Sequence, residues 1–304
     1  MNILSLFDGM SCGQIALNKA EIPYSKYYAS EIDKYAIQIT QKNYPETVQL
    51  GDVSKINIDS LPKIDLLIGG SPCQGFSAAG KKLNFEDPRS KLFWEYVRIK
   101  EELNPKWFLL ENVMMKKEWI DIISSALKVQ SIMINSSDFS AQNRKRLYWT
   151  NIQVRKWGKK EIYLKDILES VTSDRLKSYC IDAQYYKGIT LQSYITKHRR
   201  TQIFETVRLG EICKGGQGQR IYSVNGKSIS LSTQSGGQGA KTGLYQIDLP
   251  DGQYYIRKLT PIECERLQTV PDNYTEGVSN TQRYKMLGNG WTVDVIAHIL
   301  SGMK

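Results

Sequence analysis

Histidine is scarce in this chain and cysteine is scattered, and between them they exclude several kinds of protein. Only two histidines occur, His198 and His298, and the five cysteines (Cys12, Cys73, Cys180, Cys213, Cys264) form no C-x-x-C pair. A structural zinc site needs thiolates and imidazoles clustered at short spacing, so no metal is expected. An odd, dispersed set of thiols is no disulfide framework and suits a reducing compartment. No apolar run approaches the ~18 residues of a membrane helix. Residues 1–20 lack the basic and apolar regions of a signal peptide, so a soluble, cytoplasmic protein with no membrane partner is expected. The chain also lacks GxGxxG, the glycine fingerprint of dinucleotide enzymes. It has no internal repeat and no low-complexity segment.

What is present is a foldable, basic chain. Its 304 residues suffice for one large domain or two smaller ones, and with 41% hydrophobic residues a substantial core is expected. The formal charge is +10. That balance suits a polyanion, because Lys and Arg that neutralise phosphates release counterions. The charge is concentrated: residues 151–256 hold 16 Lys+Arg against 9 Asp+Glu. The same stretch gathers glycines between 215 and 243, among them Gly215, Gly216, Gly236 and Gly237. Residues 220–226 and 228–232 read as short strands round an Asn-Gly hairpin turn. Glycine loops with Arg220 and Lys241 suit close approach to a nucleic-acid groove, and irregular connecting loops fit the same composition.

The first half reads as alternating strands and helices. A strand ends at Phe7, the turn Asp8-Gly9-Met10-Ser11-Cys12-Gly13 follows, and residues 14–20 read as a helix. The spacing Phe-x-Gly-x-x-x-Gly fits either a ligand turn or a plain tight turn. A second strand, 26–30, ends at Glu31, where such folds bind ribose hydroxyls. A third ends at Asp52, which is either a ligand contact or a helix cap. Three successive strand ends carrying Gly, Glu and Asp suggest an adenosine-type ligand.

Residues 64–77, Ile-Asp-Leu-Leu-Ile-Gly-Gly-Ser-Pro-Cys-Gln-Gly-Phe-Ser, are the centre of the chain. An apolar run enters paired glycines, as a buried parallel strand enters a loop. Free cysteine is most often a small buried hydrophobe. Cys73, however, stands at the carboxyl end of this strand, the edge where open α/β sheets place their chemistry. Residues 92–103 and 120–127 read as helices and 107–110 as a buried strand running into Glu111-Asn112-Val113. In Gln142-Asn143-Arg144-Lys145-Arg146, a strand would put both arginines on one face, which is either solvated or turned to a phosphate or active site. Thr260-Pro261-Ile262-Glu263 is a capping box with Pro at the first helical position, predicting a helix over 261–268. Residues 284–291 read as a glycine turn before an apolar final helix, 292–300.

In order, Phe7-Asp8-Gly9, Glu31, Asp52, Pro72-Cys73-Gln74, Glu111-Asn112-Val113, Gln142-x-Arg144-x-Arg146, Arg257-Lys258-Leu259-Thr260-Pro261-x-Glu263-x-x-Arg266-Leu267-Gln268 and Gly288-Asn289-Gly290 resemble the DNA (cytosine-5) methyltransferases, of bacterial or phage type. The resemblance covers most of the chain except about a hundred residues in the middle. It implies an α/β fold: a Rossmann-like, S-adenosylmethionine-dependent methyltransferase sheet (1–155 and 281–304) with a smaller, mostly β or irregular target-recognition domain (156–280). It departs from the family in three places. Phe-Asp-Gly-Met-Ser-Cys-Gly replaces the commoner Phe-Ala-Gly-x-Gly-Gly, Ile32 stands where many members carry an aromatic that stacks on adenine, and Trp291 is larger than the usual residue there.

The resemblance assigns roles. Cys73 would attack cytosine C6, Glu111 would hold and protonate N3, and Arg144 and Arg146 would contact the flipped base or its backbone. S-adenosylmethionine, leaving as S-adenosylhomocysteine, would lie against Phe7, Gly9, Glu31, Ile32, Asp52, Val53, Pro72, Leu92 and Asn289. Gln74, Ser77, Arg89, Gln142, Arg220 and Lys241 would meet double-stranded DNA. The family implies a monomer, in a bacterial or phage-infected cell and associated with the nucleoid; a cognate restriction endonuclease would act independently. The alternatives are an RNA cytosine-5 methyltransferase on the same scaffold and a catalytically silent DNA-binding regulator. An oxidoreductase would carry GxGxxG, and an exocyclic-amine methyltransferase Pro-Pro-Tyr or Pro-Pro-Phe.

Overall fold

A computed structural model describes residues 1–71, 88–169, 177–187, 197, 200–206, 221–223, 244–249 and 252–304. Short apolar segments with glycine or carboxylate ends make the central sheet: β1 (Asn2–Leu6), β2 (Lys26–Ser30), β3 (Val48–Gln49), β4 (Leu66–Gly69), β5 (Trp107–Val113), β6 (Ile132–Asn135) and β7 (Lys145–Thr150). Their order is β3-β2-β1-β4-β5-β7-β6. Pairings from β3 to β5 are parallel, whereas β7 runs antiparallel to both β5 and β6. The order reverses between β1 and β4, which opens a crevice at the carboxyl ends of the parallel strands.

Side chains alternate across the sheet, as extended chains require. Ile3, Leu66, Ile68 and Leu109 enter one core, and Leu4, Leu6, Leu67, Phe108 and Leu110 the other. The second core is closed by α3 (Pro88–Leu103) and α4 (Lys117–Leu127) through Phe93, Tyr96, Ile123 and Leu127. The first is closed by α1 (Cys12–Lys19), α2 (Lys34–Asn43), α5 (Pro261–Leu267), α6 (Asn280–Asn289) and α7 (Val293–Leu300). Asp33 caps α2, its Oδ1 accepting from Tyr35 N at 2.9 Å. The capping box of α5 forms as its sequence predicts: Thr260 Oγ1 accepts from Glu263 N at 3.2 Å, and Glu263 Oε2 from Thr260 N at 2.7 Å.

One expectation from the sequence is corrected. Residues 284–289 are helical, because α6 runs through Gly288 to Asn289. Gly288 serves packing there: a Cβ on it would lie 2.3 Å from both Ala183 N and Asp182 C. Packing also crosses the boundary drawn at 280. Leu259, Cys264, Leu267, Val270 and Tyr274 are buried in the same core as Ile3, as are Leu164, Ile167, Ile181 and Tyr185. Tyr274 OH donates to Met10 O at 2.7 Å, and Asn43 Nδ2 to Tyr274 O at 3.1 Å.

A second, four-stranded sheet has the order β8 (Gln202–Thr206), β11 (Gly252–Lys258), β10 (Leu244–Leu249), β9 (Ile221–Ser223). β10 and β11 form an antiparallel pair closing at Leu249 and Gly252. β9 pairs in parallel with β10, and the Asn225-Gly226 turn expected after it lies outside the described residues. Among the described residues, no helix is long and apolar enough to cross a membrane.

Gly288→Ala tests the close approach of α6 to residues 182–183. The clash is with main chain, which cannot swing aside, so a loss of about 1–3 kcal/mol in urea unfolding is expected. An unchanged unfolding midpoint would contradict this account of Gly288.

Candidate active site

The crevice at the strand ends is a cavity of about 410 Å³, within the ~300–1,000 Å³ usual for small-molecule sites. Its floor is the turn after β1. Phe7, Gly9 and Ser11 all have left-handed backbones, with φ of 58°, 61° and 62°. Positive φ is costly for a bulky residue such as Phe and is tolerated where surrounding structure enforces it, often at a functional site. Gly9 faces open space, with nothing within 4 Å of where a Cβ would be. Its N–H donates to Glu31 Oε2 at 2.7 Å, while Glu31 Oε1 accepts from Ile32 N at 2.7 Å and Asp33 N at 2.8 Å. Three main-chain donors thus fix the Glu31 carboxylate at the end of β2, with a lone-pair site remaining on Oε2.

Asp52, Val53, Leu92 and Asn289 complete this end of the cavity, with Ile32 at its mouth, 76% exposed. Asp52 is also a cap: its Oδ1 accepts from Ser54 N at 3.0 Å and Ser54 Oγ at 2.8 Å. Those bonds, the main-chain one first, hold its carboxyl below the ordinary range. All the cofactor candidates therefore line one cavity except Pro72, which lies outside the described residues.

The other end is made by β5 and β7. Their antiparallel register sets Glu111 opposite Tyr148 and Val113 opposite Arg146. Glu111 and Arg146 are therefore diagonal neighbours on one face, within reach of a long side chain. They meet as an ion pair, with Arg146 Nε 3.0 Å from Glu111 Oε1. The second carboxylate oxygen accepts from the indole N–H of Trp291 at 3.2 Å. Gly70 abuts both partners, since a Cβ there would lie 2.9 Å from Trp291 Nε1 and 3.2 Å from Glu111 Oε2. Asn112 Nδ2 donates to Ser71 Oγ at 3.1 Å and tethers the chain where it leaves β4. Cys73, Gln74, Ser77, Arg220 and Lys241 lie outside the described residues. Arg89 is in the first turn of α3.

Two residues assigned from the sequence to the base or the DNA are committed elsewhere. Gln142 is fully buried. Its Nε2 donates to Gln268 Oε1 at 3.1 Å and its Oε1 accepts from Ile181 N at 2.9 Å, so it ties interior segments together rather than facing a duplex. Arg144 is 4% exposed and lines the cavity wall. Its guanidinium donates to Ile181 O at 3.1 Å, Gly288 O at 3.2 Å, Gly290 O at 3.0 Å and Cys180 Sγ at 3.3 Å. Arg144 positions the wall of the site, while Arg146 reaches Glu111.

Sequence reasoning gave no role to Asp8, Cys180 or Trp291. Burial pushes the Cys180 thiol up, but Arg144 and Arg146 outweigh it, and the group is held below its ordinary value. Burial dominates at Asp8: against hydrogen bonds from Ser11 and Tyr27, and with the Glu31 charge adding to it, the carboxyl is pushed up to about 6. Nothing in the spacing of these residues signals such contacts. Among the described residues no group of three or more potential metal ligands occurs.

A seven-stranded sheet of this order, with a cavity at its switch point and a paired carboxylate on the fifth strand, defines a methyltransferase-type α/β protein. The chain matches the family described as C-5 cytosine-specific DNA methylase over residues 1–304 and belongs to it. It is a DNA (cytosine-5-)-methyltransferase with DNA as substrate. It is 32% identical to the type II methyltransferase M.HhaI of Haemophilus parahaemolyticus, over 98% of this chain and 93% of that protein. To the type II methyltransferase M1.ScrFI of Lactococcus lactis subsp. cremoris it is 32% identical, over 99% and 77%. Its fold is like that of the Entamoeba histolytica methyltransferase EhMeth, with TM-score 0.66 and 18% identity, covering 100% of this chain and 97% of that one. The S. pombe Dnmt2 methyltransferase gives TM-score 0.63 at 19% identity, covering 99% and 97%.

Asp8 generates a pH prediction. Its carboxyl titrates at about 6 when folded against an ordinary 3.8, so the folded state holds the proton longer. Stability from this group is therefore fully present below the unfolded value and falls as pH rises through the folded one, by up to about 3 kcal/mol. Relative to wild type, Asp8→Asn should gain stability between about pH 4 and pH 6.5 in urea unfolding. Parallel stability curves across that range would contradict it.

Proposed function

We propose that this enzyme methylates C5 of cytosine within a short, specific sequence of double-stranded DNA, by covalent catalysis from Cys73 on a base flipped out of the helix. The observation that carries the reading is one cavity with two different ends. At one end lie the fixed Glu31 carboxylate, the Phe7–Gly9 turn and the Asp52 and Val53 wall; at the other lies the Glu111–Arg146 pair. Residues 70–71 lie between them, and the next two positions are Pro72 and Cys73.

The first end suits S-adenosylmethionine. The open space above Gly9 and the remaining acceptor site on Glu31 Oε2 fit an amino-acid tail and a ribose hydroxyl, and Ile32, Val53 and Leu92 offer apolar contact to a purine. Pro72 and Asn289 would border it. Bound there, the cofactor supplies an electrophilic methyl group, and S-adenosylhomocysteine is the product. Because Ile32 is aliphatic, adenine would be held by contact area rather than ring stacking.

At the other end, attack of the Cys73 thiolate on C6 would saturate the C5–C6 bond and make C5 nucleophilic. Glu111 would bind and protonate N3, drawing electron density out of the ring. Arg146, paired with Glu111, would face the base, and Arg144 would hold the wall behind it. Removal of the C5 proton, by water, then expels Cys73. Flipping costs a few kcal/mol of lost stacking and pairing, which contacts to the extruded base must offset. Gln74, Ser77 and Arg89 are placed by sequence near the emerging strand. Recognition would belong to residues 156–280, where Arg220, Lys241 and the second sheet lie. The enzyme would act as a monomer in the cytoplasm, independently of any restriction endonuclease.

Incubation with radiolabelled S-adenosylmethionine and duplex DNA, followed by methyl sequencing, tests the reading. Wild type should label C5 at one sequence, and Cys73→Ser should lose activity by several orders of magnitude. Duplexes carrying 5-fluorocytosine in that sequence should become covalently trapped on residue 73. Equal labelling by wild type and variant, or the absence of trapping, would overturn the mechanism.

A further inference from the structure

Glu111 is gripped from two sides, and the second grip is not part of the assignments above. Arg146 forms an ion pair with Oε1, and Trp291, 8% exposed, donates its indole N–H to Oε2. A carboxylate held through one oxygen can still swivel about its terminal torsion, which is broad and weakly biased. Held through both, it has one plane. The indole is itself fixed from behind. Gly290 N donates to Met286 O at 2.7 Å, Gly290 O accepts from Arg144 at 3.0 Å, and Thr292 Oγ1 donates to Gln268 Oε1 at 2.8 Å. Only a glycine at position 70 leaves this pair undisturbed, because a Cβ there would press on both Nε1 and Oε2.

We infer that Trp291 is a positioning residue for the methyl-transfer reaction: its indole N–H sets the plane in which Glu111 presents its carboxyl to the target cytosine. This rests on the reading that Glu111 binds that base. The contribution is geometric. A general acid must lie within hydrogen-bond reach and in line with the atom it protonates, and a group fixed before binding loses nothing to reorganisation. Trp291 lies between Asn289, at the cofactor end, and Glu111, so its ring volume also shapes the cavity. The two contributions are separable, because phenylalanine retains a ring and lacks the donor.

The experiment is steady-state kinetics of Trp291→Phe on the full chain with the cognate duplex, with cofactor affinity measured by calorimetry. Loss of a buried hydrogen bond to a carboxylate is expected to lower kcat about tenfold, with KM for S-adenosylmethionine within about twofold. An unchanged kcat, or a loss confined to the cofactor KM, would overturn the inference and leave Trp291 as a cavity wall. A second measurement covers the case in which the variant folds poorly. In Glu111→Ala the indole N–H resonance of Trp291 should shift and exchange faster with water; an unmoved resonance would likewise overturn it. If wild type itself fails to methylate, or Cys73→Ser matches it, the underlying function fails instead, so the two failures are distinguishable.

Discussion

The guanidinium of Arg144 holds together the wall of the cavity at the strand ends. It carries a full charge, is almost wholly buried, and meets acceptors from two segments remote in sequence, residues 180–181 and 288–290. A buried cation is tolerated only when its donors are satisfied, so the three segments can come together in one way. Once they do, the carboxyl end of α6, the start of α7 and the 177–187 segment are fixed against β7. Gln142 extends the same knot: its amide bonds Ile181 and Gln268, and Gln268 Nε2 in turn donates to Leu287 O. The polar interior beneath the cavity is thus closed by main-chain carbonyls rather than by opposite charges.

That knot explains how a C-terminal helix pair contributes to a site otherwise built on strand ends. Lys285 on α6 pairs with Asp33 Oδ2 at 2.6 Å and so reaches the cap of α2 beside Glu31. Asn289, the last residue of α6, lines the cavity, and Trp291, two residues on, touches Glu111. A small displacement of the short turn between α6 and α7 would alter the cavity wall at Asn289 and the Trp291–Glu111 contact together.

Much of this was legible in the sequence, and what was not has a physical cause. The strands could be placed because each is a short apolar run closed by Gly, Asp or Glu. The same carboxylates marked the cavity, since strand ends of an open α/β sheet converge there. Gly288 misled because glycine ordinarily punctuates a helix, whereas here the missing Cβ makes room for the backbone of residues 182–183. The sharing of one core by Leu259, Leu267, Tyr274 and Ile3 was not legible, because charge and glycine content mark the surface while packing is set by apolar faces. Arg144 and Gln142 could not be resolved because their partners are carbonyls and amides far along the chain. A motif read one-dimensionally does not distinguish an arginine that touches a ligand from one that touches the protein.

The distinction lies in the direction of one strand. Arg144 and Arg146 are two residues apart, so an extended chain puts both on the face that carries Glu111. Because β7 runs antiparallel to β5, Arg146 is opposite Val113 and one diagonal step from Glu111, while Arg144 falls beyond the end of β5. There it has no strand neighbour across from it and turns into the helix side of the sheet. A slip of one residue would send both to the opposite core. The antiparallel register of β7 thus sets Arg146 against Glu111 and leaves Arg144 to the carbonyls of residues 181, 288 and 290.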